Sequence, residues 1–142
     1  MTPKEYLNQA YQIDQRINSK LIQVESLRSL ATRVTSVFSD MPHSSTPDNR
    51  RLEKTMDKII DLKNEILDDT DELVDLKRNI TQTINAIPDL RQRTILEKRY
   101  LSFEAWEKIA VELSLDLSWV HRLHNRALSE MQKIFEKATK SH

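Results

Sequence analysis

The 142-residue chain contains neither glycine nor cysteine. Glycine most easily supplies positive-φ turns and close backbone approach, so phosphate-cradling loops and dinucleotide fingerprints are not expected. The sequence is read as that of a non-enzyme with no cofactor. Without cysteine there are no disulfides, thiolate nucleophiles or thiolate zinc sites, which accords with a reducing cytoplasm. Aromatic residues make up 6% of the chain and charged residues 31%, a balance suited to long helices with narrow apolar seams. No apolar run approaches the ~20 residues that span a bilayer, so no membrane partner is expected. The opening Met-Thr-Pro-Lys-Glu reads as the start of a helix and not as a signal peptide, and the expected location is cytoplasmic. Excess charge is also missing: 22 Lys and Arg balance 22 Asp and Glu. Residues 1–87 hold 12 basic and 14 acidic side chains, and residues 88–142 hold 10 basic, 8 acidic and three histidines. Charge alone does not point to nucleic acid, whose phosphates require Lys and Arg.

What is present is helical periodicity. Thr2-Pro3-Lys4-Glu5 supplies an N-cap, a proline at the first helical position and a glutamate that closes a capping box. A seam follows at Tyr6, Ala10, Ile13, Ile17, Val24, Leu27, Ala31, Val34 and Phe38, interrupted by Lys20. Asp40 to Asn49 gathers prolines, serines and asparagine, so a connection is expected at about 39–49, with Thr46-Pro47 repeating the cap-plus-proline signal. Leu52, Ile59, Ile66, Leu73, Ile80 and Ile87 then recur every seven residues, flanked by Met56, Leu62, Leu67, Leu76 and Ile84. The expected fold is all-α. Residues 1–87 form a long antiparallel helical hairpin of coiled-coil type that oligomerises or docks a partner, and 88–142 form a C-terminal DNA-binding module. Two helices bury little on their own, so packing against another copy or against the C-terminal module is expected, and of these a homodimer or higher homo-oligomer is the favoured reading.

Pro88 is expected to end the second helix and to occupy the first turn of the next, which runs from Asp89 to Tyr100. Ser102 is expected to cap a short helix holding Trp106, Ile109, Ala110 and Leu113. After a turn at Ser114-Leu115, Asp116 caps a further helix holding Val120, Leu123, Ala127 and Leu128. Ile109, Leu115, Val120 and Leu123 then form the mutual core of a helix-turn-helix, with Trp106 also in the core. Leu117, Ser118, His121, Arg122, Asn125 and Arg126 are left outward.

The string Leu96-Glu97-Lys98-Arg99-Tyr100-Leu101, with Trp106-Glu107-Lys108-Ile109-Ala110-Val111-Glu112-Leu113 and Val120-His121-Arg122-Leu123-His124-Asn125-Arg126-Ala127-Leu128, resembles region 4 of sigma-70-type factors over about the last 50 residues. The whole chain is similar to the phage and prophage late transcriptional regulators labelled ArpU-like or RinA-like. Ile13-Asp14-Gln15-Arg16-Ile17-Asn18 and Asp71-Glu72-Leu73-Val74-Asp75-Leu76-Lys77 carry that likeness. The resemblance implies a sequence-specific regulator of double-stranded DNA in a bacterial host, with RNA polymerase as a further partner. It places base and phosphate contacts at Leu117, Ser118, His121 and Arg122, and Arg126 near the backbone. Two departures stand out. Ser114 occupies the usual glycine of the turn, and Leu117 and Trp119 replace polar or basic residues, so an exposed Trp119 is expected to wedge against sugar, a thymine methyl or a neighbouring protein. Arg122 is expected to make a bidentate guanine contact worth about 1–3 kcal/mol of discrimination.

Plainer readings account for the rest. His121 and His124 lie one helical turn apart without further ligands at metal spacing, so no metal is expected and titratable DNA contacts are the favoured reading. The acidic run Asp68, Asp69, Asp71, Glu72 and Asp75 reads as a solvated face lacking basic partners, or as a docking strip for a basic protein, more readily than as a magnesium site. The tail at Met131, Ile134, Phe135 and Ala138 either packs on the hairpin or joins two protomers. Two other functions fit the layout: a DNA-packaging protein similar to small terminase subunits, and a helical protein-interaction scaffold.

Overall fold

A capping box opens the first helix: the Thr2 hydroxyl accepts the Glu5 N–H at 3.2 Å, and the Glu5 carboxylate accepts the Thr2 N–H at 3.3 Å. The computed structural model describes residues 1–39 and 46–140. The described residues are all-α, with helices α1 (Pro3–Ser39), α2 (Thr46–Asn85), α3 (Leu90–Leu96), α4 (Trp106–Leu113) and α5 (Leu117–Lys140), and no strand among them. A π-helical stretch, Glu97–Leu101, continues α3. Of the connection expected at about 39–49, residues 40–45 lie outside the described residues. No helix is long and apolar enough to cross a membrane. The chain forms two compact units, one of Met1–Ile13 with Leu73–His142 and one of Asp14–Glu72.

In the Asp14–Glu72 unit the segments of α1 and α2 run antiparallel, as their ion pairs require. Arg16 reaches Asp69 at 3.1 Å and Glu72 at 3.0 Å, while Lys20 reaches Asp69 at 2.6 Å. Val24 and Ile59 are buried, and Ile17, Leu27, Leu52, Leu62 and Ile66 are half-buried along the expected seam. Lys20, which interrupts that seam, is the partner of Asp69. The solvated-face reading holds for Asp68, Asp71 and Asp75, but Asp69 is 8% exposed and has the basic partners that seemed to be missing. Hydrogen bonds from Lys20 and then Arg16 hold its carboxyl below the usual range. Met56 and Leu67, which flank the seam, are 45% and 63% exposed.

In the other unit, Leu7 and Ala10 of α1 meet Ile80 and Ile84 of α2, Leu96, Tyr100, and Ala127 and Met131 of α5. The tail of α5 therefore packs within the chain: the Phe135 ring lies edge-on to Tyr6, with centroids 5.5 Å apart. Leu7, absent from the expected seam, is fully buried.

The junction between α2 and α3 differs from expectation. The helix stops at Asn85, and the N–H groups of Ala86 and Ile87 bond back three residues to Thr83 and Ile84. Asp89 is the N-cap of α3, accepting the Gln92 N–H at 3.1 Å, so Pro88 precedes the cap instead of entering the first turn. Ser102 does not cap α4. Its N–H closes the π turn on the Glu97 carbonyl, and Ala105 is the residue at the start of α4.

Between them Phe103 adopts φ 56°, a left-handed conformation that costs a non-glycine residue ~1–2 kcal/mol. Its surroundings hold it there. The ring lies 5.6 Å from that of Tyr11, and the Lys77 ammonium sits 4.7 Å from its face while donating to the Leu101 carbonyl. Arg99 donates to the Glu104 carbonyl at 2.9 Å.

Candidate nucleic-acid interface

Three residues join α4 to α5. Ser114 takes φ 56° and ψ 43°, so the glycine-like conformation is kept although glycine is absent. The Leu115 N–H bonds to the Ala110 carbonyl at 3.0 Å, the six-to-one pairing of a Schellman turn. The Asp116 carbonyl accepts the N–H groups of Trp119 and Val120, which starts α5. Ile95, Ile109, Ala110, Val120 and Leu123 are buried behind the turn, with Trp106, Leu113, Leu115 and Trp119 packed against them. This apolar cluster fixes α5 on α3 and α4 and determines which of its faces remains outside.

That outer face carries Ser118, His121, Arg122, Asn125 and Arg126, all exposed, with Leu117 at 39% exposure beside them. Arg122 has no ion-pair or hydrogen-bond partner among the described residues. Trp119 is half-buried instead of standing free. It packs on the cluster, and the Arg126 guanidinium lies 5.4 Å from its ring centroid. A ring held in this way cannot swing out as a wedge without opening the cluster. His121 leans on Trp106, with ring centroids 5.0 Å apart.

His124 belongs to the interior, contrary to its reading as a titratable DNA contact. It is 5% exposed and shares a 2.6 Å hydrogen bond between Nε2 and the Tyr100 hydroxyl. Trp106 meets it edge-on at 4.6 Å, and the Arg99 guanidinium lies 4.6 Å from the Trp106 centroid. Burial lowers the His124 pKa to about 4, and the cations of Lys4, His121 and Arg99 act in the same direction. Burial also raises the Tyr100 hydroxyl above its ordinary value. The ring is therefore neutral at physiological pH. Its place was legible in the sequence, since position 124 falls in the stripe of Val120, Leu123, Ala127 and Met131. The partnership of Arg99 and Tyr100 with Trp106 and His124 carried no periodic signal.

On the neighbouring surface, cations are engaged by acids. Lys98 bonds to Glu112 and lies 3.8 Å from Glu104, and Lys108 lies 3.7 Å from both carboxylates. Lys98 in turn holds the Glu112 carboxyl below the usual range. Arg122 and Arg126 are thus the cations that the outer face of α5 offers to an anionic partner.

A family model described as "Protein of unknown function (DUF1492)" matches residues 44–132, more than half of the chain, and the chain belongs to that family. No curated protein and no solved structure matches it.

Proposed function

We propose that this DUF1492 member is a sequence-specific DNA-binding transcriptional regulator, of the phage or prophage type that its resemblance implies, reading the major groove with the N-terminal half of α5. The observation that carries the reading is one helix face. Ser118, His121, Arg122, Asn125 and Arg126 stand exposed on it while a buried aliphatic cluster holds the helix behind a three-residue turn. Such a helix presents hydrogen-bonding side chains to base edges at a fixed angle, which direct readout requires. The likeness of residues 96–128 to region 4 of sigma-70-type factors supports the same assignment, with Arg122 contacting guanine and Arg126 the phosphate backbone. RNA polymerase is a further partner in this proposal.

Fluorescence-polarisation titrations of the full chain against fragments of its own genome, repeated across salt, test this reading. One fragment is expected to bind preferentially, with affinity falling as salt rises. Arg122→Ala is expected to lower discrimination by about 1–3 kcal/mol, and Arg126→Ala to weaken all fragments alike and flatten the salt slope. Equal affinity for every fragment would reduce the activity to non-specific binding, and no binding at low salt would overturn it. A second reading, a helical protein-interaction scaffold, draws on the exposed apolar side chains of Val111 (78%) in α4 and Leu117 (39%) in α5. Complete loss of DNA binding together with an intact fold favours that alternative. A ring of eight or more copies in light scattering favours DNA packaging.

A further inference from the structure

Within the Asp14–Glu72 unit, α2 carries two apolar seams and α1 covers one of them. The covered seam contains Ile59, Leu62 and Ile66. The other contains Met56, Ile60 and Leu67, which are 45%, 53% and 63% exposed, and it continues through Lys63 and Thr70. These five positions alternate steps of four and three residues, the spacing of a helix face that packs along a second helix. A helix with one apolar stripe needs one partner; a second stripe at this spacing leaves a face for another.

Charge within the same unit identifies the occupant. Residues 25–58, at one end, hold six Lys and Arg against five Asp and Glu. Residues 14–24 and 59–72, at the other, hold seven Asp and Glu against three Lys and Arg. Arg28, Arg33, Arg50 and Arg51 are exposed at the first end, and Asp68 and Asp71 at the second. A rod that carries exposed arginines at one end and is acidic at the other is complementary to its own reversed copy, as a two-fold isologous contact requires. We infer that the exposed seam of α2 is the docking surface for a second copy of this chain, packed antiparallel so that the arginine-bearing end of one unit lies on the acidic end of the other. The contact does not involve the outer face of α5 and stands independently of DNA recognition.

Sedimentation velocity on the full chain, from low to high micromolar concentration, tests the proposal. A dimer that weakens as salt rises is expected. Ile60→Glu combined with Leu67→Glu is expected to raise its dissociation constant roughly tenfold or more, because two apolar side chains lose their burial. Both positions are exposed in the single chain, so helix content by circular dichroism is expected to stay unchanged. Orientation is read by cross-linking, since the natural chain has no cysteine. A mixture of Glu53→Cys and Asp71→Cys chains is expected to form disulfides between the two variants, whereas each variant alone does not. A monomer across the whole range, a dimer insensitive to the Ile60 and Leu67 substitutions, or cross-links only between like variants would overturn the inference.

Discussion

Position 124 falls in an apolar stripe where an aliphatic side chain would also fit, yet it is filled by an imidazole bonded to a buried phenol. The folded-state pKa of His124 is about 4, below its unfolded value, so the unfolded chain binds the extra proton between the two. Stability is then at its plateau above the unfolded pKa and falls as pH drops toward about 4, by roughly 3 kcal/mol in all. Urea denaturation across pH checks this, and His124→Phe is expected to flatten the profile over that window. A slope that persists in the variant would assign the effect to other groups. Two outer-face residues separate in the same assay. Arg122→Ala is expected to leave stability within about 0.5 kcal/mol, because the side chain has no partner to lose. Trp119→Ala is expected to destabilise by about 2 kcal/mol, since it opens the packed side of the cluster and removes the platform under Arg126.

At the scale of elements, the absence of glycine is visible as strain. Ser114 ends α4 in the left-handed region, at a cost of ~1–2 kcal/mol, while glycine there would add ~0.5–1 kcal/mol of unfolded-chain entropy to be lost on folding. Ser114→Gly is therefore expected to stabilise the protein by up to about 1 kcal/mol, read as a rise in thermal midpoint; a fall would show that the serine makes a compensating contact. The ion pairs between α1 and α2 invite a paired test. Asp69→Ala leaves the Lys20 ammonium, 18% exposed at its side chain, without its acceptor, and a lower melting temperature is expected. Lys20→Met together with Asp69→Leu removes both charges and continues the apolar seam, so that chain is expected to melt at or above the wild-type temperature. A double variant as unstable as the single one would mean that Arg16 depends on Asp69 more than on Glu72.

For the whole molecule, composition and structure agree on how little of the surface is committed to one sign of charge. With 22 basic and 22 acidic residues the chain has no net attraction to a polyanion, so the proposed binding to DNA would rest on where the cations stand. Around α4 the lysines are paired with glutamates, which leaves Arg122 and Arg126 as the cations of the outer face of α5 that carry no ion pair among the described residues. If the exposed α2 seam joins two copies, the melting temperature rises with protein concentration. Circular dichroism melts over a hundredfold dilution are expected to show that rise in the wild type and none in the Ile60→Glu, Leu67→Glu chain.

Much of this was legible in the residues alone. Seven-residue spacing from Leu52 to Ile87 announced a long helix, Thr2 to Glu5 announced its predecessor, and the stripe from Val120 through Met131 announced α5. Each rests on local physics, the 3.6-residue period and the satisfaction of terminal N–H groups, which a sequence displays directly. What lay beyond it was pairing between residues far apart in the chain. Lys20 looked like a flaw in a seam until Asp69 was found opposite, and His124 looked like a surface ligand until Tyr100 and Trp106 enclosed it. Periodicity states which side chains share a face; the tertiary structure alone decides what, if anything, that face meets, because burial and charge pairing are properties of two surfaces and a single helix supplies only one.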